Sequence, residues 1–492
     1  MNLLSNLEPG RVFYYFEEIS KIPHGSYNTK AISDYCVSVA KKLGLKVRQD
    51  DLNNVVIRKA GSEGCEQAPT LMIQGHLDMV CEKESNVVHD FEQDGLKLLI
   101  QDDYVTADGT TLGGDDGIAV AICLAILEDD SLVHPPLEIV FTTDEETGMD
   151  GALGLDTSDL KASYLLNLDS EEDGVLTVGC AGGSTMEMRL PYETEEAEGF
   201  IYELKISGLI GGHSGVEIHK GRANSNKLMA QVLMALEAIA DYRIIAIDGG
   251  KKHNAIPRET ITTILFKTEN AVTSAEELLK EYQRLFLESY QDIDDGIEID
   301  LQQDEKRIKC ASFTVFSKAS QQQLLRLLMA LPDGVQAMSQ SVQGLPETSL
   351  NLGVLHTNID EKLVYIEASN RSSNAASLKL LEERVRLIAQ NDGCSCQKQS
   401  EYPGWSYRKD SKLRDTMVNI YRNLYHKDMK IELIHAGLEC GILATNMPDL
   451  DIVSTGPDIL DIHTPQERMS IESVKRTYEF VLQILKECAT WT

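Results

Sequence analysis

Short apolar runs alternate with helical patterns over the first third of the chain. Residues 29–43 and 117–128 repeat apolar side chains at helical spacing, so each stretch predicts a helix. The runs Leu-Met-Ile at 71–73 and Ile-Val-Phe at 139–141 have the length and composition of strands that are buried on both faces. Such alternation predicts an α/β domain in which helices flank a mostly parallel sheet.

The middle of the chain has a different pattern. From about Thr185, polar and apolar residues alternate at 186–190 and 202–206, which is typical of half-exposed antiparallel strands. Further helical patterns lie at 226–239 and 274–289, and further strand patterns lie at 348–355 and 363–368. This segment therefore predicts an α+β domain.

The first pattern returns towards the end of the chain, with a helical stretch at 413–425 and a strand at 452–453. We therefore predict one α/β domain formed by residues 1–184 and 398–492, with the α+β domain inserted into it at 185–397. An insert of about two hundred residues has an ordinary domain size. A chain of 492 residues also exceeds what one hydrophobic core usually supports.

Acidic residues outnumber basic ones, with 78 Asp and Glu against 46 Lys and Arg, so the net charge is −32. A nucleic-acid partner or an anionic membrane requires a basic surface, so we expect neither. No apolar run reaches the ~20 residues of a membrane span, and no signal peptide is visible at the start. Ten scattered cysteines without zinc-finger spacing indicate reduced thiols, so we expect a cytoplasmic protein.

Histidine and carboxylate side chains lie where the predicted strands end or in adjoining turns. Six of them are His76, Asp115, Glu145, Glu146, Asp169 and His463. In open parallel sheets, ligand sites gather at the carboxyl ends of the strands. Taken singly, each residue could be a cap or a solvated side chain, and Asp115 could be the N-cap of the helix at 117–128. Together they have the composition of a metal centre.

A pair of divalent metal ions requires a particular mixture of ligands. Two ions ~3.5–4 Å apart, as in many aminopeptidases, need imidazole or carboxylate ligands and one carboxylate that bridges them. The mixture found here suits zinc, with manganese or cobalt as substitutes. Asp78 lies two residues after His76 and has the spacing to orient that imidazole. Glu145, next to a candidate ligand but itself free, can act as a general base.

Motifs over nearly the whole chain, in order and with comparable spacing, resemble a known family. The motifs at 76–78, 113–117, 143–148, 167–172 and 463–465 look like those of the M20 family of co-catalytic zinc peptidases. Within that family, the motifs at 87–91, 209–215, 254–259, 347–351 and 435–441 resemble the aminoacyl-histidine dipeptidases, which are the Xaa-His dipeptidases or carnosinases of the bacterial type.

The resemblance implies a role for each candidate ligand. His76 and Asp169 would hold one metal ion, and Glu146 and His463 would hold the other. Asp115 would bridge the two ions. The resemblance also agrees with the roles given above to the general base and to the orienting carboxylate.

The resemblance further implies four substrate-binding residues. His213 matches a lid histidine that stabilises the oxyanion and that can reach the site of a partner subunit, whereas Asn254 and Arg371 match positions that hold the carboxylate end of the substrate. His435 matches a substrate-facing loop. His213 could instead be an ordinary turn residue, and Arg371 could be an ordinary loop residue. Glu439, four residues after His435, leaves open a metal-binding pair on a helix, although the intervening glycine favours a loop.

The sequence therefore predicts metal-dependent hydrolysis of dipeptides, above all Xaa-His dipeptides such as carnosine. The resemblance implies a homodimer that forms through the inserted lid domain. Two alternatives stay open: an N-acyl amino acid deacylase on the same scaffold, and a metal-binding dimeric protein without turnover. Asp116 departs from the family, which often has Asn after the bridging aspartate. This extra carboxylate leaves open which aspartate bridges and which metal is preferred.

Overall fold

The chain is divided between two units, in a computed structural model that describes residues 3–303, 312–340, 342 and 344–492. The first unit comprises Met1–Gly179, Trp405–Leu433 and Leu438–Thr492, and the second comprises Cys180–Gly404 and Ile434–Gly437. The predicted insert at 185–397 falls within the second unit.

Helices and short strands alternate in the first segment of the first unit. In chain order they are α1 (Gly10–Ile19), α2 (Lys30–Lys42), β1 (Lys46–Gln49), β2 (Val55–Lys59), β3 (Leu71–His76), β4 (Leu98–Gln101), β5 (Tyr104–Ala107), α3 (Gly114–Glu128), β6 (Leu137–Thr142), α4 (Asp150–Gly154), β7 (Tyr164–Asn167) and β8 (Val175–Cys180). The predicted helices at 29–43 and 117–128 and the predicted strands at 71–73 and 139–141 are confirmed.

The second unit is built of long strands and four helices within the described residues. Its elements are β9 (Gly182–Pro191), β10 (Thr194–Ala197), β11 (Phe200–Ser207), β12 (Gly212–His213), a 3₁₀ turn (Ile218–Lys220), α5 (Ser225–Leu236), β13 (Tyr242–Gly249), β14 (Ala255–Ile256), β15 (Thr260–Phe266), α6 (Glu269–Ser289), β16 (Glu298–Gln303), β17 (Phe313–Phe316), α7 (Lys318–Ala330), β18 (Gly334–Met338), β19 (Pro346–Asn358), β20 (Leu363–Ser372), α8 (Ala375–Asn391) and β21 (Ser395–Tyr402).

The last part of the chain returns to the first unit. Its elements are α9 (Lys412–Tyr425), β22 (Lys430–Ile434), α10 (Glu439–Asn446), β23 (Asp451–Ser454), β24 (Ile459–Leu460), β25 (Arg468–Ser470) and α11 (Ile471–Cys488). The predicted helix at 413–425 and strand at 452–453 are therefore confirmed.

Eight strands form the main sheet of the first unit, in the order β1-β2-β6-β3-β7-β23-β8-β22. The four strands β6, β3, β7 and β23 are mutually parallel, and β1, β2 and β8 pair antiparallel on either side of them. Every residue of β3 and of β6 is buried, as expected for strands covered on both faces. The predicted α/β fold with a parallel sheet and flanking helices is confirmed.

The helix α3 belongs to the core of the first unit and is buried from Gly114 to Leu127. It packs closely on β3 because Gly75 has no side chain there. A Cβ at Gly75 would lie 2.7 Å from the Cβ of Ala119, which is shorter than real side chains allow. The glycine thus permits the start of α3 to approach the carboxyl end of β3.

The second unit contains an antiparallel sheet in the order β16-β11-β15-β13-β19-β20-β9-β21, with β18 paired to β19. Apolar side chains from this sheet and from α5, α6, α7 and α8 form one hydrophobic core. Alternation of apolar and polar residues in β9 and β11 places one face of each strand in that core. The predicted α+β character of the middle segment is confirmed.

Two sequence-based expectations concern the whole chain. Seven of the described cysteines carry free thiols, in agreement with the expectation of reduced cysteines: Cys36, Cys65, Cys81, Cys123, Cys394, Cys396 and Cys488. Among the helices of the described ranges, none combines the length and the apolar character needed to cross a bilayer.

Candidate active site

Three neighbouring parallel strands deliver polar residues to the same edge of the first unit's sheet. β3 ends at His76, β6 ends three residues before Glu145, and β7 ends two residues before Asp169. His76 is in register with Thr142, the last residue of β6. Because the carboxyl ends of parallel strands meet at one edge, the predicted residues come together there.

Two further predicted residues reach this edge from other elements. Asp115 lies at the start of α3, with φ −82° and ψ 104°, so its backbone is extended rather than helical. His463 lies in the loop between β24 and β25, with φ 62°, a left-handed conformation that is uncommon for a residue with a side chain. Such strained backbone is frequent at functional sites.

The carboxylate of Asp115 lies between the two predicted imidazole ligands. Its Oδ1 atom is 3.1 Å from His76 Nε2, and its Oδ2 atom is 3.2 Å from His463 Nε2. Each oxygen thus faces a different imidazole, which is the arrangement that a bridging carboxylate needs.

One further carboxylate accompanies each imidazole. Asp169 Oδ1 lies 3.6 Å from His76 Nε2, and Glu146 Oε1 lies 3.0 Å from His463 Nε2. The side chains of His76 and Glu146 are buried, whereas that of His463 is 45% exposed. The site is therefore accessible from the His463 side.

Asp78 contacts the predicted general base as well as His76. Its Oδ1 atom is 3.5 Å from His76 Nδ1, while the shorter contact of that nitrogen, 2.9 Å, is to the backbone carbonyl of Asp78. The Asp78 carboxylate accepts the backbone N–H groups of Glu145 (3.1 Å) and Glu146 (3.3 Å) and the hydroxyl of Ser26 (2.8 Å). It thus orients the acidic pair directly.

Asp116, the departure from the family pattern, is buried beneath the same strand end. Its Oδ2 atom accepts the backbone N–H of His76 at 3.1 Å. A ligand atom of Asp116 also lies within 4.8 Å of those of His76 and Asp169, so this trio could hold a metal ion. Asp115, however, is the aspartate that contacts both imidazoles, and this favours it as the bridge.

Two more sets of three side chains meet the same 4.8 Å distance between ligand atoms. One comprises His76, Glu145 and Glu146, and the other comprises Asp115, Glu146 and His463. The second set matches three ligands that the sequence predicts for one ion. The first set places the Glu145 carboxylate beside the predicted ligands, where a general base is needed.

The electrostatics of the cluster show a surplus of negative charge. Burial raises the pKa of Glu145 well above its usual value and also raises the pKa values of Glu146 and Asp169. Although burial acts to lower it, hydrogen bonds to Asp115 and Glu146 raise the pKa of His463 to about 11. Protonated imidazoles thus offset the crowded carboxylates in the metal-free protein. Divalent cations would do the same with these donors, so the residues fit two such ions.

Three glutamates near the cluster are not among the predicted site residues, and two of them, Glu439 and Glu467, are buried. Burial raises the pKa of Glu439 to about 8. Partial desolvation, with repulsion from Asp115 and Asp169, raises the pKa of Glu171 to about 8. Glu439 accepts hydrogen bonds from Gln74 and Thr142, each at 2.6 Å. Glu467 accepts backbone N–H groups of the loop that bears Asp115. Glu171 and Glu439 lie within the motifs at 167–172 and 435–441, so a signal existed for them, whereas Glu467 lies outside the motifs.

In the second unit, the structure brings His213 and Asn254 together. β12 and β14 pair so that His213 is opposite Ala255, and the N–H of Ser214 donates to the carbonyl of Asn254 at 2.9 Å. His213 Nδ1 accepts the N–H groups of Gly215 and Val216, at 3.3 and 3.2 Å. Since Nδ1 is an acceptor, the proton of the neutral ring resides on Nε2, which can donate a hydrogen bond.

Arg371 and His435 belong to a second polar cluster of that unit. Arg371 on β20 is in register with Ser349 on β19, and Ser349 Oγ lies 2.7 Å from His435 Nε2. Arg371 Nη1 donates to the hydroxyl of Tyr402 at 2.7 Å. His435 follows β22, and α10 begins at Glu439, so the alternative of a metal-binding pair on one helix is wrong.

Buried polar atoms of this cluster lack partners among the residues that the structure describes. They include Arg371 Nε and His435 Nδ1. Burial, followed by repulsion from Arg371 and neighbouring histidines, lowers the pKa of His435 to about 3, so this imidazole is neutral. Buried donors without partners are costly, and a bound polar ligand would satisfy them.

Sequence reasoning missed Ser349 and Tyr402 in this cluster. Ser349 lies within the motif at 347–351 that carries part of the family resemblance, so a signal existed. Tyr402 ends β21, which pairs with β9 and not with β20, the strand of Arg371. Its contact with Arg371 therefore depends on the arrangement of three strands, for which the sequence offers no local pattern.

The sequence matches peptidase family M20/M25/M40 over residues 72–487. Because this match covers most of the chain, the protein belongs to that peptidase family. The family resemblance inferred from the motifs is thereby confirmed.

Two relatives match over nearly the whole chain. The cytosol non-specific dipeptidase of Escherichia coli is 37% identical over 495 residues, covering 99% of each chain. The crystal structure of an aminoacylhistidine dipeptidase from Vibrio alginolyticus has a TM-score of 0.87 and 36% identity, covering 98% of each chain. The aminopeptidase PepT of Bacillus cereus, with a TM-score of 0.57 and 15% identity over 98% of this chain and all of its own, shares the fold.

Proposed function

We propose that this protein is a metal-dependent dipeptidase. The observation that carries the proposal is the Asp115 carboxylate, which presents one oxygen to His76 and the other to His463. We assign His76 and Asp169 to one metal ion, Glu146 and His463 to the other, and the bridge to Asp115. Imidazole and carboxylate donors without thiolates suit zinc, and manganese or cobalt are acceptable substitutes.

The chemistry of the site is hydrolysis of a peptide bond by water. When bound, two divalent ions polarise the scissile carbonyl and lower the pKa of water towards neutrality. Glu145 takes a proton from the attacking water and delivers it to the leaving nitrogen, so that the products are a free carboxylate and a free amine. Asp78 holds the backbone of Glu145 and Glu146 during these transfers, since its carboxylate accepts both N–H groups.

The second unit supplies the groups that recognise the substrate. His213 donates from Nε2 to the oxyanion that develops at the attacked carbonyl. Arg371 and Asn254 bind the terminal carboxylate of the substrate, and His435 contributes a neutral imidazole to the same recognition. Binding of a free carboxylate next to the scissile bond favours dipeptides over longer chains, because longer chains place that charge farther away.

We infer that Xaa-His dipeptides such as carnosine are among the substrates. The full-length similarity to an aminoacylhistidine dipeptidase supports this choice, and the similarity to a non-specific dipeptidase supports a wider range of dipeptides. We also place the protein in the cytosol, where the E. coli relative is found according to its name.

We further propose that residues 1–184 and 398–492 act as the catalytic domain, and that residues 185–397 act as a lid through which a homodimer forms. Sedimentation velocity of the full chain tests this point. A dimer in solution supports it, and a monomer at all concentrations contradicts it.

A substrate panel tests the main proposal. The metal-free protein, prepared with a chelator, is assayed with carnosine, other Xaa-His dipeptides, dipeptides without histidine, a tripeptide and N-acyl amino acids, before and after zinc is restored. We expect zinc-dependent release of amino acids from the dipeptides. Cleavage of N-acyl amino acids alone would favour the deacylase, and no turnover with any substrate would favour a metal-binding protein without catalysis.

A further inference from the structure

Glu467 is a buried glutamate whose carboxylate binds the backbone of the loop that leads to Asp115. Its side chain belongs to the first unit and is 2% exposed. Oε2 accepts the N–H groups of Leu112 (2.8 Å) and Gly113 (3.2 Å). Oε1 accepts the N–H groups of Gly114 (2.8 Å) and Asp115 (3.4 Å). One carboxylate thus binds four successive backbone donors.

These four donors require such an acceptor because of their position. They precede the helical part of α3, because Asp115 and Asp116 have non-helical backbone, so the helix offers them no acceptors. The Glu467 carboxylate satisfies these buried donors, which would otherwise be costly. Glutamine has the same shape but only one acceptor oxygen. Its amide hydrogens would face the backbone N–H groups of the loop.

The backbone of Glu467 is itself fixed to the first unit. Its carbonyl accepts the hydroxyl of Thr106 at 2.7 Å, and the next residue, Arg468, begins β25, which pairs with β5. Glu467 therefore connects the β24–β25 hairpin to the loop that leads into α3. The same hairpin loop carries His463, four residues earlier in the chain.

We propose that Glu467 is a positioning residue that sets the distance between Asp115 and His463, and so determines the affinity of the ion these two residues share. The inference rests on the proposed two-metal function. Asp115 is carried by the start of α3, and His463 is carried by the β24–β25 loop. Glu467 belongs to the β24–β25 loop and contacts the backbone at the start of α3. Movement of either loop by a fraction of an ångström would alter the 3.2 Å separation between Asp115 Oδ2 and His463 Nε2.

A control variant is needed to separate positioning of the Asp115 loop by Glu467 from a general contribution of a buried carboxylate to stability. Glu17 is also a buried glutamate of the first unit, and its two oxygens accept the N–H groups of Leu3 (2.8 Å) and Leu4 (2.9 Å). The Glu17 carboxylate thus binds backbone at the start of the chain and not the loop that bears Asp115. Glu17→Gln therefore removes a comparable buried carboxylate without removing a hydrogen bond to that loop.

The test is isothermal titration of the metal-free full chain with Zn²⁺, accompanied by thermal melting of the same samples. We expect two ions per chain for the natural protein and for Glu17→Gln. In Glu467→Gln we expect one of the two sites to weaken by about 10- to 100-fold, as is usual when a partner of a metal ligand is removed. Glu467→Asp, which keeps the charge but withdraws it by one methylene, should weaken the same site.

The outcomes separate this inference from the proposed function. If the natural protein binds fewer than two ions, the two-metal function fails. If it binds two and either Glu467 variant retains both sites within threefold of the natural affinity, the positioning role is wrong. Equal weakening of the site in Glu17→Gln would also overturn it, since a general loss of stability would then account for the effect.

Discussion

The carboxylate of Asp78 accepts the backbone N–H of Glu145 at 3.1 Å. This contact joins the residue expected behind the His76 imidazole to the residue proposed as the general base. The imidazole itself makes its shorter contact, 2.9 Å, with the backbone carbonyl of Asp78. The main work of the Asp78 side chain is therefore to hold the acidic pair in place.

Asp78→Asn tests this role. The amide keeps the size of the side chain but turns one acceptor oxygen into a donor that faces a backbone N–H. We expect kcat to fall by about 10- to 100-fold. Ser26→Ala, which removes one hydroxyl donor from the same carboxylate, is the control and should change kcat only a few-fold. Steady-state kinetics with a dipeptide checks both variants, and natural turnover in Asp78→Asn would contradict the role.

His213→Ala tests the proposed role of His213 as an oxyanion donor. The loss of one such donor usually lowers kcat by about 10²- to 10³-fold. Bound metal, measured by mass spectrometry, should not change, because His213 is not an assigned ligand. His219 lies in the 3₁₀ turn that follows β12 and has an exposed side chain, so His219→Ala is the matched control. A similar loss of kcat in both variants would remove the specific role of His213.

Arg371 is expected to recognise the terminal carboxylate of the substrate. A charged hydrogen bond contributes about 1.5–3 kcal/mol, so Arg371→Ala should raise KM for dipeptides by about 10- to 150-fold. Dipeptide amides, which lack that charge, should show little change between the two proteins. Tyr402→Phe removes the hydroxyl that Arg371 contacts and should have a smaller effect in the same direction. An equal loss for acids and amides would argue against carboxylate recognition.

His435 should make the metal-free protein sensitive to acid. Its pKa is lowered to about 3 by burial and by nearby positive charge, against an ordinary value of 6.5. Between these values the unfolded chain binds more protons, so this contribution to the free energy of unfolding is lost as the pH falls from about 6.5 towards 3. His435→Gln should therefore lose less stability between pH 7 and pH 5. Urea unfolding of both metal-free proteins at these pH values checks this, and identical losses would contradict it.

Much of the fold, and the meeting of the candidate ligands at one edge of the sheet, could be predicted because each depends on local sequence patterns. The strand ends that carry His76, Glu145 and Asp169 follow apolar runs, and parallel strands end at one edge. Glu467 and Tyr402 could not be found in this way. Their partners are determined by how separate elements pack. Even the predicted ligand His463, four residues before Glu467, does not indicate that Glu467 binds the loop of Asp115.

The central claim is that two adjacent glutamates have different tasks, with Glu146 a metal ligand and Glu145 the general base. The most direct test measures bound zinc per chain and kcat in Glu145→Ala and Glu146→Ala. We expect Glu145→Ala to retain two ions and to lose about 10²- to 10⁴-fold in kcat, and we expect Glu146→Ala to retain at most one ion. Full turnover in Glu145→Ala, or loss of an ion from it as readily as from Glu146→Ala, would contradict the account.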